Sequence, residues 1–180
     1  MTAAVVVATM VAFGAAASPV GAQAPDPCTL LTIEDVSTEL GLTTSAPLGA
    51  SQGAVSACLF SGPVSFAVRL ESVTDGGARA AAFCTKQAKA QGLRVTKIKK
   101  TGKVACYTAG DRLVDDASPQ AIIPGLYTLT AFVAGEGKDG VILELRVGGT
   151  VSVLQSDQAP SPKKMKQGLV KLGKQAVAAL

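Results

Sequence analysis

A chain of 180 residues with a net charge of +4 and no His, Trp or Asn lacks the imidazole that Ser-His-Asp and Cys-His nucleophile systems and His-ligated metal sites require. Its aromatic share of only 4% leaves little surface on which nucleic-acid bases could stack. The composition therefore predicts a protein that is not an enzyme, with no cofactor, no metal and no nucleic-acid partner. Residues 1–22 carry no charged side chain, run apolar from Ala3 to Ala17, break at Ser18-Pro19 and reach Val20 and Ala22 just before a favourable cut. That run is shorter than the roughly 20 residues of a membrane span and reads as a secretory signal peptide. Residues 23–180 are then expected to form a single disulfide-stapled domain, secreted to the periplasm or outside and soluble. Cys28 follows Pro25-Asp26-Pro27, not the small apolar residues that lipid attachment needs.

The first predicted helix starts at Thr32 as N-cap, with Asp35 completing an acidic capping box, Leu31 and Val36 forming a staple, and Gly41 as the stop. A loop rich in Gly, Ser and Ala follows. Strands are predicted over residues 57–61 and 64–73, the second because Val64, Phe66, Val68 and Leu70 alternate with Ser65, Ala67, Arg69 and Glu71. Asp75-Gly76-Gly77 opens a second helix running to about Gln91, where Gly92 ends it. Ala80, Ala81, Phe83, Cys84 and Ala88 share one of its faces, and Arg79, Lys86 and Lys89 another. Short strands are expected at 93–99, 103–108 and 112–114, then a loop over 115–125, then a hairpin of 126–134 with 141–147. Ser161 caps a last helix with Pro162 at its first position, an apolar stripe at Met165, Leu169, Leu172, Ala176 and Leu180, and lysines opposite. Helices interrupting hairpin-linked strands imply an α+β fold: a mainly antiparallel sheet of about five to seven strands with three helices packed on it.

All four cysteines, Cys28, Cys58, Cys84 and Cys106, fall after the signal segment. None sits in Cys-x-x-Cys, and an even count in an exported chain implies two disulfides. Three pairings are open to four cysteines. The favoured one joins Cys28 to Cys58, tying the first helix to the first strand, and Cys84 to Cys106, tying the second helix to the sheet. Each bond restricts the unfolded chain by about 2–4 kcal/mol.

The stretch Asp26-Pro27-Cys28-Thr29-Leu30-Leu31-Thr32, its capped helix ending at Leu40-Gly41, and Cys58-Leu59-Phe60 resemble a set of secreted, often lipid-anchored bacterial domains of unknown function. The resemblance covers about the first forty residues of the mature part and implies an extracytoplasmic α+β domain that senses or binds. This chain departs from it in lacking the lipid-acceptor cysteine and in carrying Phe60 where Trp is common, so anchoring is not carried over.

Charge is strongly segregated. Between Asp75 and Asp111 no acid occurs, while Arg79, Lys86, Lys89, Arg94, Lys97, Lys99, Lys100 and Lys103 supply +8; five lysines follow Asp157. The segments before and between these blocks carry −5 and −4. Such a basic face could meet an anionic envelope component, with at most peripheral membrane contact, or could serve only as solvated surface. Ile122 and Ile123 are candidate lips of an apolar pocket, against a plainer role in the core. Ser161-Pro162-Lys163-Lys164 and Lys100-Thr101-Gly102 match penicillin-recognising motifs, but in reversed order, with Ser156-Asp157-Gln158 a near match to a third. The sequence thus predicts a non-enzymatic extracytoplasmic binding or sensor-like domain for a small apolar ligand or an anionic envelope partner. The alternative is a loop-presenting inhibitor or structural interaction protein, with residues 115–125 as the loop.

Overall fold

The computed structural model describes residues 25–110, 118–156 and 159–180. The signal segment, the strand expected at 112–114, Asp115 and Asp116 of the following loop, and Asp157-Gln158 lie outside the described residues.

A 3-10 turn at Pro27–Thr29, capped by Asp26, leads into helix α1, Ile33–Leu40. Thr32 Oγ1 accepts from Asp35 N–H at 3.1 Å and Asp35 Oδ2 accepts from Thr32 N–H at 2.8 Å, so each orphan amide donates to the other residue's side chain. Gly41 ends the helix at φ +71°, a left-handed turn open to a residue without a Cβ. Strands β1 (Leu48–Gln52), β2 (Val55–Phe60) and β3 (Val64–Val73) follow. Helix α2 comprises Ala78–Ala82, a π-helical turn at Phe83–Gln87 and Ala88–Ala90. Then come β4 (Arg94–Lys97), β5 (Val104–Ala109), β6 (Ile122–Ala134), β7 (Gly140–Thr150), the single turn α3 (Val151–Leu154) and α4 (Pro162–Ala179).

The seven strands form one sheet in the order β1-β2-β3-β7-β6-β5-β4, and every pairing is antiparallel. This is the α+β class expected from the alternation of strands and helices. The ends of β2, β4, β5 and β7 shift slightly from the expected spans and the turn α3 is unforeseen; two further differences have a clear physical cause. β1 lies where a loop was expected; its residues, Leu-Gly-Ala-Ser-Gln, are all exposed at the sheet edge, so no buried face imprints a period on them. β6 begins at Ile122, not 126, because Ile122 and Ile123 pair with Thr150 and Gly149 before a register shift ahead of Tyr127. Gly125, at φ +71° within that shift, hides the strand from a propensity reading.

The register sorts side chains onto two faces. On the first, Phe66, Val68 and Leu70 of β3 lie opposite Val147, Leu145 and Leu143 of β7, which continue across β6 to Tyr127, Leu129 and Ala131. All of these are buried, and they form one cluster with Val36 and Leu40 of α1 and Met165, Leu169, Leu172 and Ala176 of α4. A Cβ on Gly168 would press on the Glu39 carbonyl and one on Gly173 on Leu129, so α4 sits close against both α1 and the sheet. On the second face, Ala80 of α2 packs with Val73, Phe132 and Ile142. Disulfides fasten both layers: Cys28 to Cys58 on the first face, with Cα atoms 5.1 Å apart, and Cys84 of α2 to Cys106 of β5 on the second, at 5.7 Å.

Candidate functional site

Helix α4 starts where the sequence places it: Ser161 Oγ accepts from Lys164 N–H, and Pro162 occupies the first turn. That first turn holds no acid but carries Lys163, Lys164 and, one residue on, Lys166. Cations at the positive end of a helix dipole cost about 0.3–1 kcal/mol each when nothing compensates them. Two lysines of the helix are compensated. Lys164 lies over Gly41, at the carbonyl-rich end of α1, and Lys171 Nζ pairs with Glu39 at 2.9 Å. Among the described residues, Lys163 and Lys166 have no acidic partner.

These lysines rim a groove of about 820 Å³ that runs over α4 beside the end of α1. Its apolar lining is Ile98, Val170 and the backbone of Gly168. Ile98 follows β4, where its N–H donates to Ala105 at 3.0 Å, and it is half-buried between Lys97 and Lys99, both exposed. The fold therefore brings Ile98, just after β4, to the first turns of α4, far away in the chain; Lys97, paired with Cys106, sits at a register position of the opposite face, and Lys99, Lys100 and Lys103 are exposed around the same turn without lining the groove. In the sequence the lysines of α4 read as the polar side of a helix and as part of the segregated positive charge; the signal that singles out Lys163, Lys164 and Lys166 is their crowding at its N-terminus.

The rest of the expected basic surface divides. Lys86 and Lys89 are exposed on α2. Arg94 on β4 acts on the stacked, buried pair Tyr107 and Tyr127, whose ring centroids lie 6.4 Å apart. Burial pushes both phenols above their ordinary pKa. Arg79 belongs to an ion network, not to an open patch: it donates to Glu71 at 2.6 Å and to Asp75 at 3.1 Å. Arg69 bridges Glu71 at 2.8 Å and Glu144 at 3.0 Å, and Arg146 donates to Glu144 at 2.5 Å. Burial alone would raise Glu71, but the hydrogen bonds from Arg79 and Arg69 outweigh it and hold the carboxyl below its ordinary value. Asp75 is likewise held low, desolvation being outweighed by the N–H groups of Gly77 and Arg79 and the Arg79 side chain. Carboxylates held in this way are acceptors, poorly suited to donating a proton.

Ile122 is 73% exposed on β6 while Ile123 packs partly against the core, and neither lines the α4 groove. Of the penicillin-site motifs, Ser161 is engaged as a helix cap and Thr101 is wholly buried. Among the described residues no three acidic or cysteine side chains converge as a metal set, and no helix is long and apolar enough to cross a membrane. Set against known proteins, the chain matches no protein family, no curated protein and no solved structure.

Proposed function

We propose that this protein is a non-enzymatic extracytoplasmic binding domain that holds an anionic lipid of the envelope against the α4 groove, in peripheral contact with the membrane surface. The observation that carries the reading is the combination of an apolar strip, Ile98 and Val170, with the uncompensated Lys163 and Lys166 beside it. A solvated basic face needs no apolar strip; a phosphate-headed amphiphile uses both. Lysines gathered at the unfavourable end of a helix dipole also support an anion as their counterpart. Two disulfides fit an oxidising, extracytoplasmic environment, as does the likeness of residues 26–60 to secreted bacterial domains. The small apolar ligand is less well supported, because Phe60, Phe66, Leu129, Leu145 and Leu169 are fully buried between sheet and helices. The inhibitor reading loses part of its loop to β6, from Ile122 onward.

Co-flotation with vesicles tests the proposal. Binding is expected with phosphatidylglycerol vesicles, weak with phosphatidylcholine, and falling as salt rises. Lys163→Ala with Lys166→Ala should weaken it about thirtyfold, from about 1 kcal/mol for each lysine near an anionic surface. Equal binding to neutral vesicles, or binding indifferent to salt, overturns it. So does polyglutamate bound as tightly as the vesicles and unaffected by Ile98→Ser, which would make the partner an acidic polymer.

A further inference from the structure

On the opposite face of the sheet from α4, a second pocket lies beneath α2. One row of the register runs Cys106, Thr130, Glu144, Arg69 across β5, β6, β7 and β3; the next runs Val104, Phe132, Ile142, Glu71. Thr130, Glu144, Ile142 and Glu71 form the floor of a pocket of about 140 Å³, and Arg79, Ala80, Phe83 and Gln87 of α2 form its roof. Phe83 and Gln87 are the first and last residues of the π-helical turn. A π turn is a local departure found often at functional sites, and here it lies on the helix the Cys84–Cys106 bond clamps to the sheet.

Two unfilled valences belong to residues that border this space. The Thr130 hydroxyl is buried, the residue being 2% exposed, and it has no hydrogen-bond partner. Buried polar atoms are nearly always paired, so an orphan on a pocket wall calls for something that enters the pocket. Glu144 takes its two arginines on Oε2 alone, leaving Oε1 to accept another donor, whereas both oxygens of Glu71 are engaged. Arg69, Arg79 and Arg146 balance Glu71, Asp75 and Glu144, so the network needs no counter-ion. The missing group must therefore donate to a carboxylate, donate to or accept from a hydroxyl, and bring no net charge. Hydroxyl groups do this. Phe83, Ala80 and Ile142 offer an apolar wall to a C–H face. The volume equals about five waters of liquid, enough for one small ring with its outer edge in solvent.

We propose that this pocket binds a neutral polyhydroxylated molecule, a single sugar ring or an open-chain polyol, between Thr130 and Glu144 of the sheet and Phe83 and Gln87 of α2. It is a site separate from the lysine groove and stands or falls independently of it.

Amide chemical-shift titrations of the oxidised protein decide the matter. The probes are glucose, arabinose, erythritol and methyl glucoside, with ethylammonium chloride and sodium acetate as charged competitors. At least one neutral polyol is expected to give saturable shifts at Thr130, Phe83 and Gln87. Thr130→Val, which keeps shape but removes the hydroxyl, should weaken it about tenfold, the worth of one hydrogen bond of this kind. Gln87→Leu at the exposed mouth should weaken it too, and serves if Thr130→Val does not fold. Equal binding of glucose and its methyl glycoside marks a chain-end sugar as the source; loss on methylation marks a free sugar. No saturation by any neutral probe at about 100 mM, well above the millimolar dissociation constants of weak sites, overturns the proposal, as does preference for either ion or undiminished binding by Thr130→Val.

Discussion

Replacing Gly168 by Ala separates helix propensity from tertiary packing with a single methyl group. In an exposed helix interior the change would stabilise by about 1 kcal/mol, the usual advantage of Ala over Gly. In this fold the new Cβ would meet the Glu39 carbonyl oxygen and would lie 2.6 Å from Leu40 Cδ2, about 1 Å inside the optimal carbon–carbon separation. The leucine methyl can rotate, but the carbonyl belongs to the last turn of α1 and cannot. α1 and α4 must therefore part, loosening Leu40, Leu169 and Leu172, all fully buried. Overpacking of this kind costs about 3 kcal/mol at the upper end of its range, so the net expectation is a loss of about 2 kcal/mol, or about 4–8 °C in Tm for a domain of this size. Urea and thermal denaturation measure it directly. Gly173→Ala is the control: its Cβ meets only side-chain atoms of Leu129, and a milder loss of about 1 kcal/mol is expected. A Gly168→Ala variant as stable as the parent would refute the close seating of α4 on α1, and with it the frame of the lysine groove.

Removing either disulfide should cost about 3.4 kcal/mol for the 22-residue separation of Cys84 and Cys106 and about 3.6 kcal/mol for the 30 residues between Cys28 and Cys58, on loop-closure entropy alone; equal denaturation midpoints for oxidised and reduced protein would contradict this. Thr32→Ala removes the cap acceptor and half of the capping box, and a loss of about 1 kcal/mol is expected in the same assay. The Glu71 carboxyl, held below its ordinary value of 4.5, contributes stability that is complete above the unfolded-state pKa and is lost as pH falls through the folded one. Urea midpoints should therefore decline below about pH 4.5, and Glu71→Gln should flatten that decline; an unchanged acid limb in the variant would remove Glu71 from the balance.

How much the sequence disclosed depended on whether the cause was local. The capped start of α1 at Thr32 and Asp35, the alternation through β3 and the Ser161-Pro162 start of α4 are set by neighbours within a few residues, and the structure has all three. β1 left no trace, because an edge strand with neither face buried gains its identity only by pairing with β2. The start of β6 was masked by a glycine that serves a register shift. The π turn of α2 has no pattern of its own. At the candidate site, net charge was readable but its partition was not. Arg79 counts toward a basic face until the fold places it between Glu71 and Asp75, and Ile98 meets the lysines of α4 only through tertiary packing. The orphan hydroxyl of Thr130, on a strand that reads as ordinary alternation, is visible only once its neighbours are known.

The most direct test of lipid docking at the lysine groove is to record amide shifts while short-chain phosphatidylglycerol is added below its micelle concentration. The expected outcome is a saturable, salt-sensitive set of shifts confined to Ile98, Lys163, Lys166, Gln167 and Val170. Shifts centred elsewhere on the protein, or the same shifts from a zwitterionic lipid of equal chain length, would contradict the assignment.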